Sequence, residues 1–155
     1  MPPERNPDAR RAAHAHHVQV TEDILSPEAR AGVFADLTAA FLKHHNLTGN
    51  AFLTPNVIGE VNEIPRDNSF AGGKRADIAI VELKVPSFAF ASPEQKQAFI
   101  ANATNTLVSA SKGRLTPNCV WVNVVYAVDG LWGIGGRAYS NDDLLRSVSE
   151  AATPT

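Results

Sequence analysis

His14, His16 and His17 open the first stretch of this chain that alternates like a strand. An imidazole titrates near neutrality, so His14 or His16, two residues apart and on one strand face, would serve as a base. The plainer reading of the same residues, and the favoured one, is solvated histidines in a flexible arm. Cations stand at three further places. Lys74 and Arg75 follow Gly72-Gly73, Arg137 follows Gly135-Gly136, and Lys84 closes a strand-like run. As anion holders they suit a small carboxylate, with backbone N–H groups of the glycine turns assisting. As structure they are exposed charges beside turns, worth little in stability. Trp132 either walls a pocket or packs between subunits. Trp121 and Tyr126 alternate with apolar neighbours and are expected to pack. No metal site is expected, because His44 and His45 fall at the far end of a helix. Cys119 has no adjacent base and reads as a small buried hydrophobe.

The elements that must position these residues occur twice. Ser26-Pro27-Glu28 and Ser92-Pro93-Glu94, roughly 65 residues apart, each open a helical stretch, and a glycine pair follows the next strand in each copy. Ser26 and Ser92 are helix caps with proline at the first helical position, and Gln95 completes a capping box. Val33, Phe34, Leu37, Phe41 and Leu42 mark the apolar face of the first helix; Phe99, Ile100, Ala103, Leu107 and Val108 mark that of the second. Strands are expected over 16–22, 55–64, 76–85 and 119–127, and a short polar helix from Asn141 to about Ser149. The unit is strand, helical crossover, parallel strand. The expected fold is α+β: two tandem β-α-β units in a four-stranded mixed sheet, both helices on one face. Residues 1–13 read as a flexible arm, 14–149 as one domain (units 14–74 and 75–149), and 150–155 as a disordered tail. The other sheet face should be fairly apolar, which implies self-association.

Composition narrows the function classes. A formal net charge of −2 gives no general attraction to nucleic acid or an anionic membrane. The sequence has no apolar run long enough to span a bilayer and no signal-peptide pattern, so a cytoplasmic location is expected.

Ser92-Pro-Glu-Gln-Lys, an apolar helix, Val120-Trp-Val-Asn-Val and Trp132-Gly-Ile-Gly-Gly136 together resemble the tautomerase superfamily, and the short 4-oxalocrotonate tautomerases in particular. Two fused units resemble the longer members related to cis-3-chloroacrylic acid dehalogenase. Leu25-Ser-Pro27, Leu47-Thr-Gly49, Val61-Asn-Glu63 and Ser69-Phe-Ala-Gly-Gly73 carry the same likeness through the first copy. The resemblance implies a homotrimer without metal or organic cofactor. It would move a proton on a small 2-oxo or unsaturated carboxylate, or hydrate it. The alternative is a non-catalytic trimer that kept the scaffold. In the family the base is an N-terminal proline at the first strand, a position that falls here at His14 or Ala15. Pro2 lies about a dozen residues upstream and becomes terminal once Met1 is removed. The candidate bases are therefore His14, His16 and Pro2, and the candidate substrate holders are Lys74, Arg75, Lys84, Trp132 and Arg137.

Overall fold

The computed structural model of the protein describes residues 14–152. Strand β1 (His14–Thr21) leads into helix α1 (Pro27–His44), which returns to β2 (Val57–Ile64). A hairpin, β3 (Phe70–Ala71) and β4 (Lys74–Arg75), completes the first unit. The second unit repeats the plan with β5 (Ala79–Pro86), α2 (Pro93–Ala110), β6 (Val120–Ala127) and the hairpin β7 (Trp132–Ile134) and β8 (Arg137–Tyr139). Helix α3 (Asn141–Ala152) follows. The four long strands form one sheet in the order β2-β1-β5-β6. Pairing is parallel within each unit and antiparallel between β1 and β5, where the units meet. The mixed α+β sheet of two tandem β-α-β units is thus present.

The expected caps are made. Ser26 Oγ accepts from the Ala29 N–H at 3.0 Å. Ser92 Oγ accepts from Gln95 N–H at 3.1 Å while Gln95 Oε1 accepts from Ser92 N–H at 3.3 Å. Each satisfies N–H groups that the first helical turn leaves without partners. The glycine pairs do not simply end strands; they are the turns of the two small hairpins. Gly72 and Gly73 have φ of 59° and 78°, and Gly135 and Gly136 have 58° and 85°. Two consecutive positive φ values match the right-handed twist of a two-residue hairpin and favour glycine at both positions.

The core lies between the sheet and the two long helices. Val18, Val20, Val81, Leu83 and Val85 point into it from the central strands, meeting Leu37, Phe41, Phe99 and Leu107. The opposite sheet face is mixed rather than fairly apolar. Ile58, Trp121 and Val125 are exposed there, but Glu60, His17, Glu82 and Lys84 stand among them. Charge enters because the alternation that buries Val81 and Leu83 turns Glu82 and Lys84 outward.

Two boundaries differ from the sequence-based expectation. The division expected between residues 74 and 75 cuts through β4, which pairs back onto β3 and so belongs with unit one. Helix α3 runs through Glu150 to Ala152, beyond the expected end at Ser149 and into the tail expected to be disordered. The Asn50 side-chain N–H donates to the Val148 carbonyl at 3.1 Å and holds that turn to the body, and Leu144 is buried beneath it.

One close approach governs the first unit. A Cβ on Gly59 would lie 1.9 Å from the His16 carbonyl oxygen and 2.8 Å from Phe34 Cε2. The oxygen belongs to the β1–β2 ladder and cannot retreat without breaking it. Gly59→Ala is therefore expected to destabilise the protein by about 2 kcal/mol or more, read as a lowered midpoint in urea unfolding.

Candidate functional site

At the head of β1 the sheet holds a cleft of about 370 Å³, lined by Ala15, Lys84, Val125, Tyr126, Ala127, Leu131, Trp132 and Gly133. Its floor follows directly from strand register. Ala15 on β1 pairs with Lys84 on β5, and Lys84 pairs with Val125 on β6. The three form one row on the outward face, because residues paired across a ladder share a face. The β7–β8 hairpin supplies the wall, with Trp132 and Gly133, and Leu131 at 72% exposure lies just before it. Among the described residues lining the cleft, Lys84 is the one charged side chain.

Lys84 is half-exposed and its Nζ lies 3.5 Å from Glu82 Oε1. An exposed pair of this kind contributes little, so an incoming carboxylate can replace Glu82 as the ammonium's partner. Beside the cleft, the Tyr126 hydroxyl donates to the Ala89 carbonyl at 2.9 Å. That turn is held from behind by His45. The His45 Nδ1–H donates to the Phe41 carbonyl at 2.9 Å, and Nε2 accepts from the Phe90 N–H at 3.1 Å. Holding both bonds requires the neutral ring, in keeping with a His45 pKa lowered chiefly by burial.

The structure brings together only part of the sequence-predicted set. Lys84 and Trp132 share the cleft. Lys74 and Arg75 sit on β4, after β2, and β2 runs parallel to β1, so their hairpin lies at the far end of the sheet. There Arg75 meets Asp67 at 3.2 Å and Arg66 meets Asp77 at 2.5 Å. Arg137 turns towards α3: its Cζ lies 4.2 Å over the Tyr139 ring and Nη2 lies 3.5 Å from Asp143. The backbone of His14 begins β1 opposite Val57. Its side chain, and Pro2, lie outside the described residues.

His16 stands apart from the cleft, which corrects its candidacy as a base in contact with substrate. It is fully buried on the helix-facing side, ringed by Phe34, Phe41 and Phe99 at centroid distances of 5.8, 6.1 and 6.3 Å. Both ring nitrogens lack a hydrogen-bond partner among the described residues. Its position shares parity with Val18 and Val20, and that signal alone places it in the core. Trp121 and Tyr126, expected to pack, are instead about two-fifths exposed. Sequence reasoning also missed Val125 and Leu131, and it named Ala15 only as one of two positions at which the family's proline would fall. Strand register sets Ala15 and Val125 in one row with Lys84, and the turn before β7 brings Leu131.

No protein-family model matches the sequence, and no curated protein matches it. Solved structures do. The crystal structure of N1, a member of the cis-3-chloroacrylic acid dehalogenase family, superposes with a TM-score of 0.71 at 18% identity, covering 90% of this chain and 92% of that one. An asymmetric trimer of the fused 4-OT F6 gives 0.67 at 18% identity, covering 80% and 94%. Pt0534, inactivated by 2-oxo-3-pentynoate, gives 0.67 at 16% identity, covering 84% and 98%. The chain therefore has the fold of the long, fused members of the tautomerase superfamily. At these identities the likeness is one of fold.

Burial holds the His16 pKa down, from 6.5 to about 4, with the neighbouring His17 charge adding to the effect. Below its ordinary value, the unfolded chain binds a proton that the folded chain refuses. Stability is therefore complete above that value and falls as pH drops towards the folded one. Between about pH 7.5 and about pH 5 the melting temperature should fall by about 5 °C on this account. His16→Leu should flatten that dependence, which differential scanning calorimetry at the two pH values would show.

Proposed function

We propose that the protein binds a small unsaturated or 2-oxo carboxylate in the cleft at the head of β1, and moves a proton on it or adds water to it. The observation that carries this reading is the placement of Lys84 in an otherwise uncharged, aromatic-walled cleft beside the first residues of β1. In ketonisation of an enol acid, a base takes the enol proton and carbon receives one. Lys84 holds the carboxylate and the adjacent developing oxyanion, while Trp132 and Leu131 exclude water from one side. The base in this reading is the secondary amine of Pro2 after removal of Met1, because His14 begins β1 with the strand parity of the buried His16 and not that of Ala15 in the cleft. The working form is a homotrimer. The solved fused 4-OT is a trimer, and Ile58 and Trp121, exposed on the outward sheet face outside the cleft lining, give a subunit contact its apolar part.

A second reading has one observation in its favour. Among the described residues lining the cleft, the sole titrating groups are the Lys84 amine and the Tyr126 phenol, and that phenol is engaged with Ala89. A cleft so furnished suits a carboxylate-binding trimer without turnover.

Ultraviolet absorbance of phenylenolpyruvate ketonisation by the full-length chain separates the two. Turnover is expected, with Lys84→Met lowering kcat/KM by roughly 10- to 100-fold through loss of a charge-assisted contact. An unchanged kcat/KM in that variant would remove the cleft as the site. Saturable binding without turnover would establish the second reading.

A further inference from the structure

Resting on the cleft as the binding site, we infer that Glu82 makes it selective for monocarboxylates with an apolar tail and turns dicarboxylates away. The register places a second row directly beside the Ala15–Lys84–Val125 row. It runs Glu60, His17, Glu82, Asn123, with Glu60 and Glu82 both paired to His17 and Asn123 paired to Glu82. Successive rows on one face of a strand are about 7 Å apart. Both glutamates are on the outward face, and His17 Nδ1 already engages Glu60 Oε1 at 2.5 Å. Glu82 reaches to 3.5 Å from the Lys84 ammonium.

A ligand carboxylate on Lys84 displaces Glu82 from it, and Glu82 then stands at the inner edge of the site, where its row neighbour His17 is already engaged by Glu60. The outer side is Val125, Ala127, Leu131 and Trp132. A second carboxylate held against the protein thus has two places to go. Along the sheet it meets Glu82 and then Glu60, which is like-charge repulsion at short range. Against the hairpin it is desolvated by apolar side chains that offer it no donor. An aromatic or branched tail laid against Trp132 and Leu131 meets neither cost and gains apolar burial. One cation, one flanking anion and one apolar wall therefore define a monoanion with a greasy end.

The test compares phenylacetate with 1,4-phenylenediacetate, which differ by a single carboxymethyl group, by isothermal titration calorimetry on the full-length protein. The monoacid is expected to bind about tenfold more tightly. Glu82→Gln should shrink that ratio at least several-fold by strengthening diacid binding, whereas Lys84→Met should abolish binding of both. Equal or tighter binding of the diacid, or a ratio that Glu82→Gln leaves unmoved, overturns the selectivity while Lys84→Met still certifies the cleft. Binding that Lys84→Met does not weaken, or no binding of either acid, overturns the cleft itself and the proposed function with it.

Discussion

The antiparallel register between β1 and β5 is the constraint on which the rest of the structure depends. It joins two units that are otherwise separate parallel pairs, and it sets Ala15 opposite Lys84 and His16 opposite Leu83. A slip of one strand by one residue against the other would move the slipped strand's buried set to the outward face. Either Lys84 would then enter the core or His16 the cleft. Neither is tolerable: an ammonium in the core lacks a partner, and the aromatic ring formed by Phe34, Phe41 and Phe99 would lose the imidazole that fills it. The packing that stabilises the centre of the sheet thereby also chooses which side chains reach the cleft.

Duplication gives the sheet two comparable ends, and the chain treats them differently. At the first unit's hairpin, Arg66 and Arg75 are turned onto Asp77 and Asp67. A hydroxyl chain lies beneath: Thr21 Oγ1 contacts Ser69 Oγ at 2.6 Å and accepts from the Ile78 N–H, while Ser69 Oγ donates to the Ala76 carbonyl. Buried hydroxyls that are satisfied in this way order the backbone around them. At the second unit's hairpin, Trp132, Leu131 and Tyr126 surround a single ammonium. One end lines its cleft of about 340 Å³ with paired charges, Arg66, Asp67, Arg75 and Asp77, and the other leaves an ammonium open beside apolar side chains, although the secondary structure of the two is nearly the same.

The electrostatic character of the open end follows from strand alternation. Burying Val81, Leu83 and Val85 requires Ile80, Glu82 and Lys84 to face outward together, so a cation in the cleft arrives with an anion two residues away. The proposed binding site is thus built with a competitor for its own cation. In a half-exposed setting this pairing is weak enough to be exchanged for a ligand, yet the carboxylate remains close enough to influence what that ligand can carry.

Local chemistry was readable from residues alone. Ser26 and Ser92 cap helices because a short side-chain oxygen reaches a free N–H, wherever such a sequence occurs. The glycine pairs make hairpins because they adopt positive φ at low cost. The repeat itself announced two β-α-β units, and the tryptophan-glycine phrase marked the wall of the cleft. His16 was legible too, through its parity with Val18 and Val20, although its chemistry drew attention the other way. What no local pattern contained was the pairing between units: that Ala15 meets Lys84, that Lys74 and Arg75 lie at the opposite end, and that Glu82 and Glu60 flank the same histidine. Those relations depend on register across a sheet, where the contacting residues are far apart in the chain and only collective packing selects one alignment. The sequence by itself determined the elements and their order. The tertiary structure decided which of the chain's cations stands in an apolar-walled cleft and which turn onto carboxylates beside the hairpins, because that choice is made by the neighbours each strand acquires.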